Sequence, residues 1–574
     1  MRTMLRGAVR KLPLEFRVLY RQFLLRAVDL EALSVEADVL RLLGQFAGVL
    51  FLISVFESIG LFFASESPSL RHAGMLVLGL RSLHGFLSGT MLVAGLFAVI
   101  SWDNIFPDRR DVMVLGPLPV RPLTILLAKV VACGVVLAVG VVALNCAMGV
   151  ALPLVAGGIA GFPRMVAAYW TAAVGGAVFV YGSVLTVQGL LAWMLPRRWF
   201  LRVSSFLQMA AFAYFLANYF LEPTLWSPGW ANAVTLEGQL RWWPSYWFLA
   251  LADQMGGLFR GPFVGMARWA WVGLSVAVSG AAAALLLCYV RTMKKTVEEP
   301  DLVPGRRGWK GSLRFGDKLT TAVVLFSGRS LARSKQHRVV YAFFLSVAFA
   351  IAVSMVKGIV ESGARRPLTP SFLMATFVMM CVAVVGLRSI FSLPVSLKAN
   401  WVLQVTQLWP SVAYIAATRR SLLLLAALPV WLVAAGLGFG FRPWMQVAAH
   451  LVVLGLVGLI LTDLSLIGVS KVPFACSYLP GKSNIQYMFW AFVVVFVPIA
   501  MEFADYEQRA LGHVWRYALL VAALGGVDWG LWAFNLRKAR TAVLYYEELE
   551  PVVIQTLGLA GARLGAPIEF EPRG

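Results

Sequence analysis

Residues 123–148 read LTILLAKVVACGVVLAVGVVALNCAM, a run in which Lys129 is the one charged side chain. At a rise of about 1.5 Å per residue, roughly 20 such residues cross a hydrocarbon core of ~30 Å, so this run is long enough to span a bilayer. Lipid offers no hydrogen bonds, and the backbone there must satisfy itself as helix. Eleven further stretches read the same way, at 43–64, 86–104, 166–194, 203–221, 265–290, 340–359, 371–392, 421–440, 444–468, 486–503 and 514–534. The 574-residue chain is 60% hydrophobic and 14% charged, with a mean hydropathy of +0.77. An ordinary soluble domain is far less apolar. The predicted fold class is all-α integral membrane, with about twelve transmembrane helices.

A formal charge of +22 points first to nucleic acid, but in a membrane chain the side on which Lys and Arg fall carries more information. With the N-terminus in the cytoplasm, residues 1–42, the loops after every second span and the C-terminal tail hold 38 of the 50 Lys and Arg residues. That alternation requires an even number of spans and puts both termini in the cytoplasm, in the inner or plasma membrane. The bilayer is then the partner of the basic surface, and nucleic acid is not. Residues 14–34, LEFRVLYRQFLLRAVDLEALS, mix basic and apolar positions at helical spacing. They lack the apolar core of a cleaved leader and read as a helix lying on the membrane surface.

The most basic loop, 291–339, divides the spans six and six. Leu118-Pro119-Val120 is followed by Lys129, and Leu408-Trp409-Pro410 by Arg420, at an offset of 291 residues. Leu195-Pro196-Arg197-Arg198 corresponds to Leu479-Pro480-Gly481-Lys482 at an offset of 284. A proline and a cation at a cytoplasmic helix boundary are individually common. Two matches in equivalent loops at nearly one offset predict two six-helix pseudo-repeats, which run parallel because each has an even number of spans.

The segment from Phe106-Pro107-Asp108-Arg109-Arg110-Asp111 through Gly116-Pro117-Leu118-Pro119-Val120 to Lys129 resembles the first cytoplasmic loop of type-2 ATP-binding-cassette (ABC) transporter permeases, in a fused double-length form. A surface "elbow" helix before span 1 and a long outer segment between spans 5 and 6, here Glu222 to about Pro262 with Trp226, Trp230, Trp242, Trp243 and Trp247, extend the likeness. The resemblance implies an elbow segment at 1–42, a first membrane half at 43–290, a basic linker with a second elbow at 291–339, a second half at 340–534 and a cytoplasmic tail at 535–574. It implies a permease subunit, an exporter without its own ATPase site or cofactor. ATP would be bound by a separate ABC ATPase subunit, as a dimer, docking on loops that carry Arg109, Arg110, Asp111, Pro119, Lys129, Arg197, Arg198, Pro410, Arg420 and Lys482. The second copy of the first loop, Ser392 to Trp401, lacks the Arg-Arg-Asp triplet, so the two halves need not dock equally.

Gly481-Lys482-Ser483 imitates the end of a phosphate-binding loop, but Cys476 stands where its first glycine belongs. The five cysteines form no CxxC pair and the five histidines no HExxH, so no disulfide framework or metal site is read. Ionisable residues inside spans are costly to bury. Glu57, Asp463 and Asp528 are the clearest, with His450 and Asn145 weaker. The acids could line a polar substrate path or carry protons, and a proton-coupled secondary transporter is the alternative function. The same acids could equally pair with neighbouring helices. A polytopic glycosyl- or acyltransferase is a more distant alternative.

Overall fold

The computed structural model describes residues 13–28, 39–66, 73–102, 104–106, 109–222, 240–257, 264–298, 314–362, 368–395, 400, 411–438, 443–467, 472–475, 497–541 and 544. The described residues form helices and no strand. In order these are α1 (Leu14–Val28), α2 (Val39–Glu66), α3 (Ala73–Ile100), α4 (Arg109–Leu115), α5 (Pro122–Asn145), α6 (Met148–Met194), α7 (Arg197–Leu221), α8 (Pro244–Gly256) and α9 (Ala267–Glu298). The chain continues through α10 (Lys318–Arg333), α11 (Lys335–Ser362), α12 (Pro370–Phe391), α13 (Ser411–Leu422), α14 (Leu428–Gly438), α15 (Trp444–Ser465), α16 (Val497–Leu511) and α17 (Val514–Thr541).

Ten runs among the described residues are long and apolar enough to cross a bilayer, where the sequence predicts about twelve spans. They lie in α2, α3, α5, α6, α9, α11, α12, the joined α13–α14, α15 and α17. The expected fifth span, 203–221, lies within the single helix α7, of which Phe206–Leu221 is an apolar run among the described residues. Residues 486–496 of the expected eleventh span lie outside the described residues, and α16 begins at Val497. In α6, Gly158 adopts φ 55°, a left-handed conformation that suits glycine, and divides a short leading segment from the membrane span.

The α13–α14 span shows sequence acting directly on backbone geometry. Pro429 has no N–H to give the carbonyl of Leu425 one turn earlier. The helix widens to π geometry over Leu423–Ala427, and the Tyr341 hydroxyl on α11 donates to the Leu425 carbonyl at 2.5 Å.

Packing falls into corresponding sets. Helix α1 lies on α5 and α10 lies on α13. In the same way α3 packs on α6 and α7, and α12 on α15 and α16, while α6 packs on α9 and α15 on α17. Among the described residues, the first and second halves of the chain meet mainly where α7 packs along α11, with Phe212 and Phe343 edge to face at 5.8 Å. The segment between α7 and α9 contains α8, whose Tyr246, Phe248, Leu249 and Leu251 are buried, and α8 packs on α6, α9 and α3. Trp226 and Trp230 of that segment lie outside the described residues.

Candidate functional site

Three places concentrate polar chemistry in the apolar bundle. The first is at the start of α5, where Pro122 opens the helix and Lys129 points back toward the preceding loop. Lys129 is 2% exposed. Its Nζ lies 2.5 Å from Asp111 Oδ2, donates to the Phe106 carbonyl at 3.3 Å, and sits 5.1 Å from the centre of the Phe23 ring on α1. An isolated buried ammonium is prohibitive, whereas one paired with a carboxylate and a carbonyl is tolerated. The lysine therefore ties α1, the segment after α3, α4 and α5 together.

Beyond that clamp the loop is largely exposed. Arg109 and Arg110 open α4, whose backbone turns after Leu115 through Gly116, Pro117, Leu118 and the exposed Pro119. Met113 and Val114 are 61% and 65% exposed, an apolar tip on a small, pinned protrusion. Of the other expected docking residues, Arg197 and Arg198 begin α7. Arg420 reaches Asp317 at 3.8 Å and Thr320 Oγ1 at 3.4 Å on α10, at an exposed position. The Asp317 carboxyl is held below the usual carboxylate range, first by hydrogen bonding to the Thr320 hydroxyl and less by Arg420. Pro410 and Lys482 lie outside the described residues.

The second place unites two of the three predicted acids. Arg419 on α13 donates to Asp463 on α15 through Nε at 2.6 Å and Nη2 at 3.0 Å, and reaches Asp528 on α17 at 3.5 Å. Its guanidinium also lies 4.6 Å from the Trp532 ring centre. Asp463 is fully buried, and Asn535 donates to its backbone carbonyl at 2.8 Å. One cation thus serves two carboxylates. Glu57 is not part of this group, since it is exposed on α2. His450 and Asn145 are absorbed by packing. His450 bridges Glu507 at 2.8 Å and Thr376 at 3.0 Å. Asn145 donates to Thr90 at 2.8 Å and accepts from Tyr169 at 2.7 Å.

The third place has no forecast in the sequence reading. Glu222, at the end of α7, is buried and accepts hydrogen bonds from the Ser88 and Ser245 hydroxyls. His84 Nε2 stands 3.1 Å from the same carboxylate. Ser88 and Ser245 also line a cavity of about 380 Å³ between α3, α6, α7 and α8. The signal available was an acid directly closing an apolar helix, together with a histidine on an apolar one.

No family model, curated protein or solved structure matches the chain. Its chemistry must therefore be read from these side chains. No group of three or more His, Cys, Asp or Glu residues among the described ones is placed to hold a metal ion. What the three places can do is bind a partner at a rigid protrusion, exchange protons or ions at a shared arginine, and hold a ligand in a largely apolar cavity.

Proposed function

We propose that the chain is the membrane-spanning permease subunit of an ABC transporter, acting as an exporter, with ATP hydrolysed by a separate ATPase subunit that docks as a dimer. The observation that carries this reading is the Lys129–Asp111 clamp. A loop that transmits force must move with its helices. Here the α4 protrusion is pinned by one buried lysine to α1 and α5, while Met113 and Val114 remain outside for a partner. Docking on the protrusion would shift α3 and α5 as a unit, and approach of two ATPase subunits would drive the change in access.

The matching contacts of α1 on α5 and α10 on α13 support two parallel repeats. Lys129 touches α1 through Phe23, and Arg420, its counterpart in the sequence, touches α10 through Thr320. In this reading the protrusion and both termini face the cytoplasm, where basic residues accumulate.

The test is co-purification of the chain with the ABC ATPase subunit made alongside it. Reversal of Arg109 and Arg110 to glutamate should abolish capture while the permease remains folded. Failure of the unaltered chain to retain any ATPase would sink the proposal. A second reading, a proton-coupled secondary transporter, is favoured by the Asp463–Arg419–Asp528 group, in which one carboxylate exceeds the available cation. Transport that survives ATP depletion but stops when the proton gradient is dissipated would select that reading instead.

A further inference from the structure

Helices α8 and α9 both begin without an acid in the first turn, and each start carries an arginine instead. Arg241 stands just before α8, and Arg268 is the second residue of α9. A helix N-terminus is itself electropositive, so carboxylates are favoured there and cations are not. Packing then brings the two arginines together. The Arg241 guanidinium lies 4.7 Å from the centre of the Trp269 ring, and that of Arg268 lies 5.8 Å from the same centre. Trp247 braces the arrangement, its Nε1 donating to the Arg241 carbonyl at 2.8 Å and its ring centre 6.3 Å from that of Trp269. Both arginines are exposed, and among the described residues neither has a carboxylate partner. A ring face attracts a cation but cancels no charge.

The depth of this pair follows from α9. Arg268 and Arg291 lie about 35 Å apart along it at the helical rise, slightly more than a hydrocarbon core of ~30 Å. Arg291 sits over Trp193 near the end of α6, so Arg268 marks the opposite face of the bilayer, at the level of the lipid phosphates. Trp242 beside Arg241 and Trp271 in the first turn after Arg268 are 84% and 50% exposed, as tryptophans at headgroup depth are. One and two turns deeper than Arg268 on the same face of α9, Val272 and Val276 are exposed as well. Two unpaired cations thus stand at the head of an apolar track.

We propose that Arg241 and Arg268 bind the phosphate of an anionic phospholipid whose tails lie along α9 over Val272 and Val276. A guanidinium presents its N–H groups as a planar fork that matches phosphate oxygens, so one phosphate can accept from both side chains. Two cations at two helix starts repel a positive headgroup, and this selects an anionic lipid over a zwitterionic one. The inference requires that α9 span the bilayer and is independent of the permease reading.

The test is photolabelling of the full chain in phosphatidylcholine nanodiscs. The probe is phosphatidylglycerol carrying a diazirine in its headgroup, and the control is phosphatidylcholine carrying the same group. Mass spectrometry of the labelled peptides is expected to place the glycerol probe at residues 240–242 and 264–272, with the choline probe about tenfold weaker there. Arg241→Gln combined with Arg268→Gln should lower the glycerol label at these residues by about tenfold, with the unfolding temperature unchanged because both side chains are exposed. The comparison of the two probes in the unaltered chain stands whether or not that variant folds. Equal labelling by the two probes at this site would overturn the proposal, as would label indifferent to the double glutamine variant. Displacement of the glycerol probe by inorganic phosphate alone would also overturn it, by marking a site for a free anion rather than a lipid.

Discussion

Arg419 binds Asp463 with two hydrogen bonds, at 2.6 Å and 3.0 Å, and Asp528 with one long contact at 3.5 Å. The arrangement ranks the acids. A bidentate pair is the stronger one, and Asp463 is also the fully buried partner. Asp528→Asn should therefore be nearly silent in thermal unfolding, because it leaves one cation on one carboxylate. Arg419→Gln should cost about 3–5 kcal/mol, since it strands two acids beside each other. Scanning fluorimetry of the purified chain checks the order, and an Asp528→Asn variant as unstable as Arg419→Gln would refute the ranking.

The Lys129 clamp makes a different forecast, because its two partners can be replaced together. Removing the Asp111 carboxylate alone leaves a buried ammonium without that carboxylate, with the Phe106 carbonyl among its remaining contacts. Lys129→Met alone leaves a buried carboxylate. Each single change is expected to destabilise the chain by about 3–5 kcal/mol, and the Asp111→Asn, Lys129→Met double variant by clearly less than their sum. A double-mutant cycle in unfolding free energy measures this, and simple additivity would show that the pair is not coupled.

The contrast between these sites explains what was legible in the sequence. Long apolar runs announce helices because lipid forces backbone self-satisfaction, and ten such runs appear as described helices. Asp111 and Lys129 stand out in the sequence through the resemblance of their loop to a permease docking loop, but their pairing with each other depends on how α4 folds back on α5. Asp463 and Asp528 stand out as costly charges, but their meeting depends on how α15 and α17 pack. Arg419 is hidden beside Arg420, both counted as loop cations, although the first turns inward to Asp463 and the second outward to Asp317. Glu222 is hidden in a different way. It sits where an apolar helix ends, where an acid normally meets solvent, and it is buried with His84 and Ser88 of α3 and Ser245 of α8 against it.

The exposed tip of the protrusion separates docking from folding. Met113 and Val114 contribute little to the buried core, so Met113→Asp with Val114→Asp should leave the unfolding temperature within about 2 °C of the unaltered chain, as surface substitutions usually do. The same variant should lose capture of the ATPase subunit, because it places charge in an apolar contact. Retained capture would move the docking surface away from this tip.

The π-helical turn yields the last forecast, in which two changes should mask each other. Pro429 deprives the Leu425 carbonyl of its helical donor, and the Tyr341 hydroxyl replaces that donor from α11. In a bilayer no water is at hand to compensate, so Tyr341→Phe should cost about 1–3 kcal/mol as an unsatisfied carbonyl. Pro429→Ala returns an N–H to the i−4 carbonyl and should let Leu423–Ala427 relax toward ordinary α geometry. In that background Tyr341→Phe should be nearly neutral, since the carbonyl no longer depends on the phenol. Unfolding of the four chains in a double-mutant cycle tests the argument. An equal cost of Tyr341→Phe with and without Pro429 would mean that the tyrosine stabilises α11 by packing alone and that the proline is not the cause of the π turn.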